Sequence, residues 1–200
     1  MEPQTVMKSV VVEDSVSYSL DPWDLPPIKP RVVIDKTEGR RLQKFLMGIN
    51  TRNLRDLIIN VLTDVGLYSE DTEELLMLTA AVESNLGHYL NQNGGGPARG
   101  IFQMEPTTEQ DIFDNYLVYN PSLLKKVREY QGLFPEKEMV YNLAYQIIMA
   151  RIHYLRVPER LPSTDDIEGV ADYWKRYYNT YKGKGTVEKA VKKYITYVSD

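Results

Sequence analysis

Leu75-Leu76-Met77-Leu78-Thr79-Ala80-Ala81-Val82-Glu83-Ser84-Asn85-Leu86-Gly87 is followed shortly by Gly94-Gly95-Gly96-Pro97-Ala98-Arg99-Gly100-Ile101-Phe102-Gln103-Met104-Glu105-Pro106-Thr107. From Leu75 to Val82 no residue carries a charge, and apolar side chains run nearly all round the helix such a segment forms. That is the pattern of a buried helix. Glu83 then falls in its last turn, where burial and the negative end of the helix dipole both favour the protonated acid. A carboxyl group so placed is suited to general acid catalysis. The alternative for Glu83 is a buried carboxylate satisfied by Arg99 or His88.

Outward from this stretch the chain reads as mainly helical. Leu42, Phe45, Leu46 and Ile49 recur at helical spacing, as do Leu54, Leu57, Ile58, Val61, Leu62 and Val65 before Gly66. Asp71 with Glu74 suggests a capping pair for the helix that carries Glu83, and Gly87 suggests its C-terminal stop. Four glycines and Pro97 interrupt helix between residues 94 and 100, and Ile101–Gln103 reads as a short strand or hairpin arm. Helix is expected again from Thr107, over the long run Met139–Leu155, over Val170–Tyr178 and over Thr186–Val198. The fold class expected is therefore mainly α (α+β), a helical domain over residues 38–200 with a small β-hairpin or loop excursion after the Glu83 helix.

Residues 1–37 differ. Four prolines lie within residues 22–30, which forbids helix and favours an extended arm, and Trp23, Leu25 and Ile28 supply it with apolar anchors. The arm is expected either to dock on a partner or to strap its own domain.

Composition narrows the chemistry. Two hundred residues without a cysteine exclude disulfides, thiol nucleophiles and cysteine-ligated metals, and two histidines make a histidine-rich metal site improbable. No metal and no cofactor are expected. His88 reads as a loop residue and His153 as a core or helix-face residue. The opening Met-Glu-Pro-Gln-Thr-Val lacks a basic n-region and an apolar h-region, and no apolar run reaches membrane-spanning length, so synthesis in the cytoplasm without membrane insertion is expected. A net charge of −4 disfavours a general nucleic-acid binder, although residues 171–200 carry a net +4. Those C-terminal cations either face an anionic polymer or form a solvated helix face. Fifteen tyrosines suit a sugar-binding groove as well as they suit a core.

Glu83-Ser84 together with Gly100-Ile101-Phe102-Gln103-Met104-Glu105-Pro106-Thr107-Thr108 resembles the Glu-Ser and Gly-Leu-Met-Gln-x-x-Pro-x-Thr signatures of soluble lytic transglycosylases. Asn142 with Tyr154-Leu155, and Tyr178-Asn179 before Gly183, resemble that family's later motifs in the same order, over roughly residues 70–185. The resemblance implies a lysozyme-like fold whose groove holds peptidoglycan glycan strands and whose single catalytic residue is Glu83. It implies that Ser84 supports the glutamate, and that Gln103, Tyr154 and the Gly100-Ile101-Phe102 backbone line sugar subsites. It further implies that Tyr178 orients Glu83 and that Asn179 braces the tyrosine. Two positions depart from the pattern. Glu105 stands where an apolar residue is usual, which suggests either a second carboxylate for hydrolysis or a helix N-terminal acid. Thr180-Tyr181-Lys182-Gly183 replaces the family's Ala-Gly. With the arm, the nearest variant is a bacteriophage wall-degrading enzyme carried on the virion and attached to other virion or tail proteins through residues 1–37. A virion or tail structural protein that keeps the domain as scaffold is the competing expectation.

Overall fold

A computed structural model of the chain describes residues 48–132, 137–179 and 183–199. The arm at residues 1–37, with Trp23, and the expected helix around Leu42 and Phe45 lie outside the described residues. Among the described residues there are eight α-helices. They are α1 (Thr51–Val65), α2 (Glu70–Ser84), α3 (Pro106–Asn115), α4 (Pro121–Tyr130), α5 (Glu138–Tyr141), α6 (Leu143–Leu155), α7 (Ile167–Trp174) and α8 (Val187–Tyr197). One π-helical turn, Lys175–Asn179, continues α7.

Two helices form the centre. In α2 every residue from Glu74 to Ala81 is buried, and in α6 every residue from Tyr145 to Ala150 is buried. Helices that are apolar on all sides must be enclosed by others. Accordingly α1, α6, α7 and α8 all pack against α2. The amphipathic α1 and α8 turn only one stripe inward, Leu54, Ile58, Leu62 and Val65 from the first and Ala190 and Tyr194 from the second.

Several boundaries differ from the sequence reading, each for a local reason. The N-cap of α2 is Ser69, whose side chain accepts the Thr72 N–H. Asp71 instead accepts the Thr164 N–H, and Glu74 is drawn to Arg55 and Tyr194. The helix stops at Asn85, before Gly87, because Asn85 (φ 55°) and Leu86 (φ 56°) both enter the left-handed region. The run from Met139 to Leu155 is not one helix. Asn142 is extended there and its side chain caps α6 by accepting the Tyr145 N–H, which breaks the run after Tyr141.

Of the expected β-hairpin or loop excursion, the structure shows the loop, with only two isolated bridges among the described residues, Asn91 with Arg99 and Arg99 with Met104. Positive φ at Gly94, Gly95, Gly100 and Gln103 turns the chain too often for a ladder to extend. The fold is thus mainly α, with an irregular excursion spanning residues 88–105.

Candidate active site

The end of α2 is where the excursion is fastened to the core. Ser84 is fully buried, and its hydroxyl donates to the Ile101 carbonyl (2.6 Å) while accepting the Gly87 N–H (2.7 Å). The Ile101 N–H donates to Gln146 Oε1 of α6 (2.8 Å). One residue later the Tyr178 hydroxyl donates to the Phe102 carbonyl (2.8 Å). Three side chains from three separate elements therefore satisfy a buried peptide segment that has no sheet partner.

This geometry reassigns several residues. Gly100, Ile101 and Phe102 are buried, and their backbone groups are engaged by protein, including Gln103 Nε2 on the Gly100 carbonyl at 2.7 Å. They anchor the loop and do not line the groove. Ser84 supports Glu83 only indirectly, by fixing the helix end beside it. Tyr178 holds Phe102, so the Glu83 carboxyl is oriented by a different group. The Trp174 indole N–H donates to Glu83 Oε1 at 2.9 Å. Asn179 accepts from Lys175 Nζ at 2.8 Å and does not brace the tyrosine. Tyr154 is buried, bonds Thr79 at 2.8 Å, and stacks its ring 5.3 Å from that of Tyr178, so it backs the loop anchor from inside the core.

A groove of about 890 Å³ opens over the Glu83 carboxyl. Gln103, Met104 and Glu105 line it from the excursion, Trp174, Tyr178 and Asn179 from the end of α7, and Lys189 and Lys193 from α8. Gln92 and Asn93 also line it, whereas the triple glycine beside them forms an exposed turn and is not part of its wall. Glu83 and Glu105 therefore share one groove. Glu105 is exposed at the N-cap of α3, with Thr107 Oγ1 3.5 Å from its carboxylate.

Burial is the main force on Glu83 and pushes its carboxyl up from 4.5 to about 7; the Trp174 N–H and the Lys193 charge pull the other way without cancelling it. Lys193 Nζ donates to the Val82 carbonyl (2.6 Å) and the Tyr89 hydroxyl to the Glu83 carbonyl (2.7 Å). Both thereby occupy carbonyls that the end of α2 would leave orphaned. Among the described residues no second donor reaches the carboxyl, so Glu83 Oε2 is left to the groove. His153 also lines the groove, bonds the Tyr177 carbonyl through Nε2 (2.9 Å), and is held neutral by burial, which lowers its affinity for a second proton. His88 is an exposed loop residue.

A carboxyl group that titrates near neutrality can give a proton and take it back at the same pH. Two residues of the site are not assigned by the sequence reading, Trp174, which bonds Glu83, and Gln146, which holds Ile101. Gln146 had a signal of the same kind as Glu83, a polar residue inside an apolar run. Trp174 had a weaker one, an indole N–H on an otherwise buried helix face that needs a partner. Among the described residues no cluster of three metal-ligating side chains occurs, and no helix is long and apolar enough to cross a membrane. Comparison with protein-family models, with curated proteins and with solved structures finds no match to this chain.

Proposed function

We propose that the protein is a peptidoglycan lytic transglycosylase with Glu83 as its single catalytic residue. The observation that carries this reading is a carboxyl pushed up to about 7 by burial, held by one indole N–H, at the wall of a groove of about 890 Å³. In the proposed reaction Glu83 gives its proton to the glycosidic oxygen as the bond from N-acetylmuramic acid to N-acetylglucosamine breaks. The carboxylate then takes the proton of the muramoyl 6-hydroxyl, whose oxygen closes on C1 to form the 1,6-anhydro ring. The proton returns to Glu83 and no water is consumed.

Lodging of both Glu83 and Glu105 in the groove favours one second reading, hydrolysis with Glu105 as base for water. Mass spectrometry of products from purified glycan strands separates the two. The expected fragments are lighter by one water than hydrolytic ones. Reducing-end muramic acid as the sole product would overturn the transglycosylase reading, and Glu105→Gln would then be expected to lose as much activity as Glu83→Gln. Residues 1–37 are proposed to attach the enzyme to a virion or tail, with a purely structural role of the domain as the competing outcome if strands are not cleaved at all.

A further inference from the structure

The groove carries a cationic stretch that proton transfer at Glu83 does not use. Lys184 lies in the segment leading into α8, and Lys189 and Lys193 are four residues apart on that helix, hence on one face. All three line the groove. Lys193 is committed to the Val82 carbonyl. Lys184 and Lys189 are exposed, and among the described residues neither side chain has an acidic partner. Of the other described cations of the C-terminal region, Arg176 is paired with Glu159 and Asp172, Lys175 donates to Asn179 and to the Gly183 carbonyl, and Lys192 is exposed away from the groove. Unpaired lysines thus gather at the groove of a chain whose net charge is −4. Such a local field attracts anionic ligands that the whole molecule repels.

Resting on the reading of the groove as a glycan site, we propose that Lys184 and Lys189 bind the carboxylates borne by muramoyl residues. These lysines would then select muramoyl-containing strands over neutral amino-sugar polymers. The carboxylate has two sources, the lactyl group of a stripped strand and the peptide stem of an intact one. Both present the same charge to the same ammonium groups.

Binding is measured on full-length Glu83→Gln, which does not consume the ligand, with three probes at low salt. These are peptide-free strands, peptide-bearing strands, and peptide-free strands whose carboxylates have been converted to neutral amides. Amidation is expected to weaken binding roughly three- to tenfold, as two solvent-exposed charge contacts would, and salt should erase the difference. Adding Lys184→Gln and Lys189→Gln should make charged and amidated strands bind alike, and Lys184→Arg with Lys189→Arg should restore discrimination. Tighter binding of peptide-bearing strands, lost in the glutamine variant, assigns the stem as the source; weaker binding of them assigns the lactyl carboxylate, which the amide bond to the stem removes; equal binding assigns both. Equal affinity for charged and amidated strands, or discrimination that survives the glutamine changes, overturns the inference and leaves the proposed function standing. Binding of none of the strands overturns both.

Discussion

Glu83 keeps its proton at a cost to the fold, and the sign of that cost is measurable. Below pH 4.5 the carboxyl is protonated whether the chain is folded or not, and it costs nothing. Between pH 4.5 and about 7 the unfolded chain releases the proton while the folded protein retains it, so stability falls as pH rises through this window and levels above it. The loss is on the order of 3 kcal/mol at pH 8. Glu83→Gln cannot ionise, so its melting temperature should match wild type near pH 4 and exceed it by several degrees at pH 8. The same variant should cut strands about 10²–10⁴-fold more slowly, as loss of a positioned acid does. Near wild-type cleavage by Glu83→Gln would end the assignment. Trp174 acts on this group from outside the chemistry. Its N–H favours the carboxylate, so Trp174→Phe should raise the affinity of Glu83 for its proton further. The alkaline limb of the kcat/KM profile is then expected to move to higher pH, whereas a role limited to packing would lower the rate without moving the limb.

The excursion, at the scale of an element, is stable only because helices lend it hydrogen bonds. Ser84→Ala removes the donor to the buried Ile101 carbonyl, and an unsatisfied buried acceptor costs about 1–3 kcal/mol. Denaturant unfolding should register that loss, with the Glu83 helix itself unchanged. Tyr178→Phe breaks the neighbouring tie to Phe102 and should loosen amide-exchange protection of residues 100–104 without shifting the pH profile, since its hydroxyl does not touch Glu83. How much of this was legible beforehand follows from the range of each interaction. The apolar runs of α2 and α6, the stripe of α1 and the glutamate at the end of a charge-free segment are local patterns, and the chain shows them directly. The stop of α2 was harder, because Gly87 is the more conspicuous signal and yet Asn85 and Leu86 take the left-handed conformation first. Asn142 broke an apolar run by capping from its side chain, which no periodicity reveals. The Trp174 contact spans 91 residues and the Gln146 contact 45. Pairings of that range depend on how helices stack, so the sequence reading assigned Tyr178 to a task that Trp174 performs.

Over the whole molecule, the described domain closes on itself beside the site. The Thr51 hydroxyl at the start of α1 donates to the Tyr197 carbonyl at the end of α8 (3.0 Å), and the Ile49 N–H donates to the Leu86 carbonyl just past the Glu83 helix (2.6 Å). A Cβ at Gly48 would lie 2.5 Å from the Asn85 and Leu86 carbonyl oxygens, so the chain entering α1 passes directly over the turn that ends α2. Any truncation that reached Gly48 would therefore disturb the end of α2 that carries Glu83. One that stops at residue 37 removes none of the described residues that line the groove. Removal of residues 1–37 is accordingly expected to leave a single cooperative melting transition and near wild-type cleavage of purified strands. Incorporation into particles should be lost, with Trp23→Ala weakening it alone, because an aromatic on a proline-stiffened segment loses little entropy on docking. A truncated protein that melts without cooperativity would show instead that the arm is a strap of its own domain, and the partner assignment would fall while Glu83 kept its role.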